Sequence, residues 1–134
     1  MNDEIRQALF TDKTIDIITT GAKSGLSRRI EIWYTRIGSR FYICGTPSNG
    51  GEHGPPARRD WLANMKAHPQ ITFCLKDSVQ VELKARAAEI TDAEQRRQIM
   101  SAPETQWYRA QGYSVDELVA GSPIVEIVFE ELEG

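Results

Sequence analysis

Residues 21–28 read Gly-Ala-Lys-Ser-Gly-Leu-Ser-Arg, which places two glycines, a hydroxyl and two cations in one short stretch. Gly21 and Gly25 permit positive φ and close backbone approach, and successive N–H groups in such a turn form an anion-binding concavity. Ser24 adds a hydroxyl donor. Lys23 and Arg28 add charge, and Arg29 extends the cationic cluster. A phosphate monoester or diester suits this set. The stretch is not a P-loop, because the G-x-x-x-x-G-K-[S/T] spacing is absent and the residues that follow do not read as a helix. Taken alone, the same residues equally describe a glycine-bounded hairpin with solvated cations. The net charge of −3 argues against a nucleic-acid protein, so a local cationic site points to a small anionic ligand.

Other residues able to do chemistry are sparse. Trp33 and Trp61 are either core or ligand-stacking side chains; Trp33 alternates against Ile30, Ile32 and Tyr34, which leaves it outward. Glu31 is either an ordinary outward strand residue or a polar lining. Asn64 either lines a site or holds a loop through side-chain bonds to backbone. Arg58 and Arg59 read as loop charges, and the aromatic run Thr105–Tyr113 as core or subunit contact. Cys44 and Cys74 lie in apolar stretches and read as buried thiols. His53 and His68 are too few for a zinc site, so no metal is expected. There is no nucleophile elbow around Ser24 or Ser48, and no identifiable carboxylate pair. No catalytic acid–base residue is therefore assigned.

The elements that must position these residues follow from periodicity. Residues 3–10 suit a short amphipathic helix. Thr14–Thr20 reads as strand 1 and Arg28–Ile37 as strand 2. Gly38-Ser39 is a hairpin turn leading to strand 3 at Phe41–Gly45. Thr46–Arg58, rich in glycine and proline, is a long loop of the kind that is usually functional or disordered. Asp60–Lys66 suits a short helix capped by Asp60 and stopped by Pro69. Ile71–Leu75 and Val79–Ile90 are strands 4 and 5. A helix opens at Thr91 with a Thr91/Glu94 capping box, helical segments run to Ala120 with breaks near Pro103 and Gly112, and Ile124–Glu130 is strand 6. The order implies a mainly β (α+β) fold, a six-stranded antiparallel split β-barrel with short peripheral helices, because closure removes exposed edges.

At 134 residues, 40% hydrophobic and 26% charged, the chain has ordinary globular composition and forms a single domain, 1–134. No apolar run reaches membrane-spanning length, and the N-terminus lacks an apolar signal core, so the expected location is cytoplasmic.

Thr19-Thr20-Gly21-Ala22-Lys23-Ser24-Gly25-x-x-Arg28 resembles the T-T-G-R-K-S/T-G-x-x-R signature of the deazaflavin (F-420)-dependent nitroreductase and quinone reductase family. Ser48-Asn49-Gly50-Gly51 is similar to that family's S-x-G-G loop. Trp61-Leu62-Ala63-Asn64-Met65-Lys66-Ala67-His68-Pro69 is similar to its W-x-x-N-L-x-A-N-P block. The resemblance covers Ile15 to Glu89 well. It implies a split barrel related to pyridoxamine-phosphate oxidases, with F-420 as hydride carrier. Its implied phosphate contacts are Lys23, Ser24, Gly25 and Arg28. Glu31, Ile32, Trp33, Asn49, Gly50 and Gly51 border the ring, and Trp61 and Asn64 close its other side. Ala22 replaces a family arginine and Glu31 a family proline. The expected activity is two-electron reduction of a small organic acceptor such as a quinone or nitro compound. FMN on the same barrel, or a non-catalytic cofactor carrier, are the alternatives. A ring system too large for so small a barrel must lie outside it, which makes a homodimer with sites at the subunit interface the expected assembly.

Overall fold

The computed structural model describes residues 1–47 and 60–130. Within them lie seven strands, β1 Thr14–Thr20, β2 Ser27–Trp33, β3 Thr35–Ile37, β4 Arg40–Cys44, β5 Gln70–Leu75, β6 Val81–Glu89 and β7 Ile124–Phe129. The helices are α1 Asp3–Thr11, α2 Asp60–Ala67, α3 Ala93–Ser101, α4 Gln106–Ala110 and α5 Val115–Gly121, with a 3-10 turn at Pro103–Thr105. All the strands join one antiparallel sheet in the order β2-β1-β5-β6-β7-β4-β3.

The seventh strand arises inside a segment that the alternation pattern reads as one. Residues 28–37 are interrupted at Tyr34, whose N–H donates to the Lys13 carbonyl at 3.0 Å and whose hydroxyl donates to the Leu9 carbonyl at 2.7 Å. Leaving the ladder there splits the run into β2 and β3, which occupy the two opposite edges of the sheet. Trp33 and Thr35 are only two residues apart, so the sheet has to curl until its edges meet. A shared segment thus closes the barrel. The β3–β4 hairpin turns at Gly38-Ser39 with Gly38 at φ 61°, as the first central position of a type II′ turn requires.

Inside the barrel, Ile15, Ile17, Phe41, Ile43, Phe73, Leu83, Ile127 and Phe129 form a core that α1 closes with Ala8 and Leu9. Phe73 and Phe129 meet edge to face at 4.9 Å, a favourable aromatic geometry. A second cluster lies outside: Tyr42, Cys44 and Ile124 point away from the barrel and are covered by Ile99 and Met100 of α3 and Leu118 of α5. Caps differ in detail from the sequence expectation. Asp92, not Thr91, caps α3 by accepting from the Gln95 N–H at 2.9 Å. The reciprocal capping box belongs instead to Ser114 and Glu117 at α5. Asp60 stands in the first turn of α2. No helix among the described residues is long and apolar enough to cross a membrane.

Candidate functional site

The β1–β2 connection is built from its own backbone. Gly21 donates to the Leu26 carbonyl at 2.8 Å, and Gly25 donates to the Gly21 carbonyl at 2.9 Å. Gly25 sits at φ 70°, where a side chain is strained. A Cβ at Gly21 would lie 2.5 Å from Ser24 Oγ and 3.3 Å from the Leu26 carbonyl, so a side chain there would displace the Ser24 hydroxyl and crowd the turn. Ser24 Oγ accepts from the Leu26 N–H at 3.1 Å, leaving the hydroxyl proton available to donate outward. Among the described residues one long-range tether fixes the turn. Asn64, buried at 7% exposure on α2, accepts from the Ala22 N–H at 2.9 Å and donates to Thr19 Oγ1 at 3.3 Å. Asn64 thereby supports the loop from behind. Among the described residues nothing accepts from the Lys23 and Ser24 N–H groups, and the side chains of Lys23 and Arg28 are exposed beside them.

Arg28 and Arg29 face opposite sides of β2. Arg29 donates to Asp16 at 2.9 Å, Lys76 donates to the other Asp16 oxygen at 2.8 Å, and Lys76 also pairs with Glu31. Asp16 and Glu31 are direct partners in the β1–β2 register, an arrangement of like charges that Lys76 offsets. Hydrogen bonds from Lys76 first, then Arg29, hold the Asp16 carboxyl below its ordinary value. Two residues of the candidate set, Arg29 and Glu31, are thus engaged in an ion-pair ladder on the outer face.

At the far end of β2 lies a cleft of about 360 Å³ that brings together Glu31, Ile32, Trp33 and Trp61. Trp61 is half-buried and packs against the barrel core while lining the cleft; Trp33 is 60% exposed. Trp107 and Tyr108 of α4 complete the wall, with the Trp33 and Trp107 rings edge to face at 6.0 Å. The Tyr108 hydroxyl donates to the Cys44 carbonyl at 3.2 Å. Arg109 fastens α4 by donating to the Met100 and Ala102 carbonyls and to Thr105 Oγ1. Burial pushes the Cys44 thiol, also at this cleft, up to about 12, so it stays protonated and unreactive. Sequence reasoning read the run containing Trp107 and Tyr108 as core or subunit contact. The available signal was three aromatics within seven residues, Trp107, Tyr108 and Tyr113, around a helix of five residues, too short to need that many for a core.

Asn49, Gly50 and Gly51, like Arg58 and Arg59, lie outside the described residues. Among the described residues no group of three or more His, Cys, Asp or Glu is arranged to hold a metal. The six residues from Arg28 to Trp33 span about 16 Å of strand, five steps of the chain. Unengaged N–H groups and cations stand at one end of it and aromatic walls at the other.

No curated protein matches the chain significantly. Solved structures show the fold. A conserved hypothetical protein of Mycobacterium tuberculosis superposes with TM-score 0.67 at 17% identity, covering 97% of this chain and 81% of that one. A protein of the pyridoxinephosphate oxidase family from Clostridium acetobutylicum, related to a general stress protein, gives TM-score 0.63 at 12% identity, over 95% and 82% of the two chains. An F420-H2 dependent reductase gives TM-score 0.52 at 21% identity, over 87% and 94%. The architecture is the split barrel of pyridoxamine-phosphate oxidases. The family model described as F420H(2)-dependent quinone reductase matches residues 4–123, nearly the whole chain, so this protein belongs to that family and is a deazaflavin-dependent oxidoreductase.

Proposed function

We propose that the chain binds reduced F-420 along β2, with its phosphate on Lys23, Ser24, Gly25 and Arg28 and its ring in the cleft of Glu31, Ile32, Trp33 and Trp61. The observation that carries this reading is the pairing of two unengaged N–H groups and two exposed cations at one end of β2 with an aromatic cleft at the other. Asn49, Gly50 and Gly51 join the ring site on sequence alone. Arg29, engaged by Asp16, is left out of the phosphate contacts. Asn64 acts as a positioning residue, holding the loop in the shape that aims Lys23 and Ser24 outward.

The cofactor, when bound, supplies the hydride that reduces a small organic acceptor, a quinone or nitro compound. What the protein contributes is orientation and exclusion of water. Trp33, Trp61 and Trp107 present flat apolar surfaces that fix the plane of a ring, and the loop fixes its distance along the strand. Cys44 stays a thiol, which leaves no covalent route through it. A second subunit walling the cleft, in a two-fold homodimer, completes the proposal. So does a cytoplasmic setting, with which the unpaired Cys44 and Cys74 agree.

Titration of the purified protein with F-420 and, separately, FMN tests the reading. The expected result is micromolar or tighter binding of F-420, and hydride transfer from its reduced form to a naphthoquinone. Tighter binding of FMN would move the cofactor assignment to a flavin. F-420 binding without turnover on any quinone or nitroaromatic would make the protein a carrier.

A further inference from the structure

The ion-pair ladder on the outer face of β2 ends at the ring cleft. Among the described residues that line this cleft, Glu31 is the one that carries a charge. Ile32, Trp33, Trp61, Trp107 and Tyr108 supply apolar and aromatic wall, and Cys44 stays a neutral thiol. The carboxylate is held in place. Lys76 donates to one of its oxygens, Oε2, and is itself pinned by Asp16 at 2.8 Å, which also holds Arg29 at 2.9 Å. Lys76, Asp16 and Arg29 do not line the cleft. The four charges alternate in sign, and the terminus that reaches the cleft is the negative one. Glu31 Oε1 has no partner among the described residues, so it remains an acceptor. Other charges do not mask it. The adjoining wall around Phe10 contributes Lys13, Arg36, Asp12 and Glu104, whose formal charges cancel. Arg28 lies about 10 Å away along β2 and on its other face.

We propose that Glu31 selects acceptors by charge: planar acceptors that are neutral or cationic reach the ring, and anionic ones are held off. The inference rests on the ring cleft being the cofactor's. An acceptor takes hydride only when its reacting atom comes within about 3–3.5 Å of the donor, so it must pass the carboxylate that borders the ring. An anionic acceptor is repelled there beside an apolar wall, where charges interact more strongly than in bulk water. The aromatic faces act in the same direction, since their quadrupoles attract cations. The Glu31 side chain is 63% exposed and Lys76 offsets part of its charge, which keeps the selection to a few-fold. Glu31 replaces a family proline, so this selection is a property of this chain.

The test compares 1,4-naphthoquinone with its 2-sulfonate and with a trimethylammonium-bearing analogue, in the wild type, Glu31→Gln and Glu31→Lys. Equilibrium binding is read by fluorescence quenching, in the cofactor-free protein and in protein loaded with oxidised F-420. Turnover with the reduced cofactor gives kcat/KM for the same three acceptors. Each variant is judged by the ratio between acceptors, so a change in cofactor binding or in the intrinsic reactivity of a quinone cancels. Glu31→Gln moves the neutral-to-anionic ratio about fivefold toward the anion, and Glu31→Lys moves it about a further fivefold the same way. The cationic analogue moves in the opposite direction, and raising the ionic strength shrinks all of these differences. A carboxylate that only holds β2 in place would weaken the three acceptors alike. Ratios in Glu31→Gln equal to those of the wild type therefore overturn the proposal. So does a Glu31→Lys ratio no further from wild type than that of Glu31→Gln. If the ratios move as stated but F-420 does not bind, the cofactor reading fails and the charge selection stands. If F-420 binds and the ratios do not move, the charge selection alone fails.

Discussion

The two ends of β2 are made in opposite ways. At the N-terminal end, the turn 21–26 is shaped by bonds between its own backbone groups and, among the described residues, a single side chain from elsewhere, Asn64. At the C-terminal end nothing local builds the cleft: Trp33 comes from β2, Trp61 from α2, Trp107 and Tyr108 from α4. Between them, the outer face spends its charges on itself, through Arg29, Asp16, Lys76 and Glu31. An anion site made of backbone N–H groups needs only a few consecutive residues. A ring site needs flat surfaces from several directions, which one segment cannot supply. Arg28 and Arg29 condense the contrast, since neighbours of the same type are split by strand alternation into an unengaged cation and a bound one.

The largest effect expected from breaking this contrast is at the loop. Lys23→Ala or Arg28→Ala weakens F-420 binding by about 1.5–3 kcal/mol, the scale of a lost charge-assisted hydrogen bond, whereas Arg29→Ala leaves it near wild type. Fluorescence titration of the three variants measures this; equal losses for Arg28 and Arg29 would erase the distinction between the two faces. Next comes Asn64→Ala. It strands the Ala22 N–H and costs about 1–3 kcal/mol of stability, with a drop in cofactor affinity of roughly tenfold as the loop loosens. Denaturant unfolding and titration on the same variant separate the two readouts, and a loss of stability with intact affinity would deny the positioning role. Trp33→Ala sharpens the comparison from the other end. Because the indole is exposed, Tm holds, while F-420 affinity and acceptor KM both worsen.

The smallest effect belongs to the charge ladder. The Asp16 carboxyl is held below its ordinary value of 3.8 in the folded protein, so its contribution to stability is present above that pH and disappears as pH falls through the lowered folded value. Asp16→Asn therefore lowers Tm slightly at pH 7, and the gap to wild type closes on acidification. Thermal melts across pH 2–7 measure it; a gap that widens toward low pH would contradict the pairing.

Strand positions, the Gly38-Ser39 turn and the cationic loop were legible because each rests on local rules: two-residue alternation, glycine at positive φ, N–H groups in a tight turn. Trp33 was legible as outward, for the same reason. The α3 cap was misplaced by one residue because Thr91 and Asp92 are both competent caps, and only backbone geometry chooses between them.

The sequence by itself determined an antiparallel barrel, a tight glycine turn carrying exposed cations between its first two strands, and the outward face of β2, since these depend on residues within one turn or one strand of each other. Tertiary structure decided the rest. It broke the second strand at Tyr34 so that one segment closes the sheet, because that hydroxyl satisfies a carbonyl at the end of α1. It engaged Arg29 while leaving Arg28 unpaired among the described residues, because Asp16 and Lys76 reach only the outer face. It brought Trp107 and Tyr108 beside Trp33 across more than seventy residues of chain, because α4 is fastened by Arg109 to the end of α3. Each of these outcomes is a side-chain contact between distant segments, and no periodicity within a segment records which distant partner it will meet.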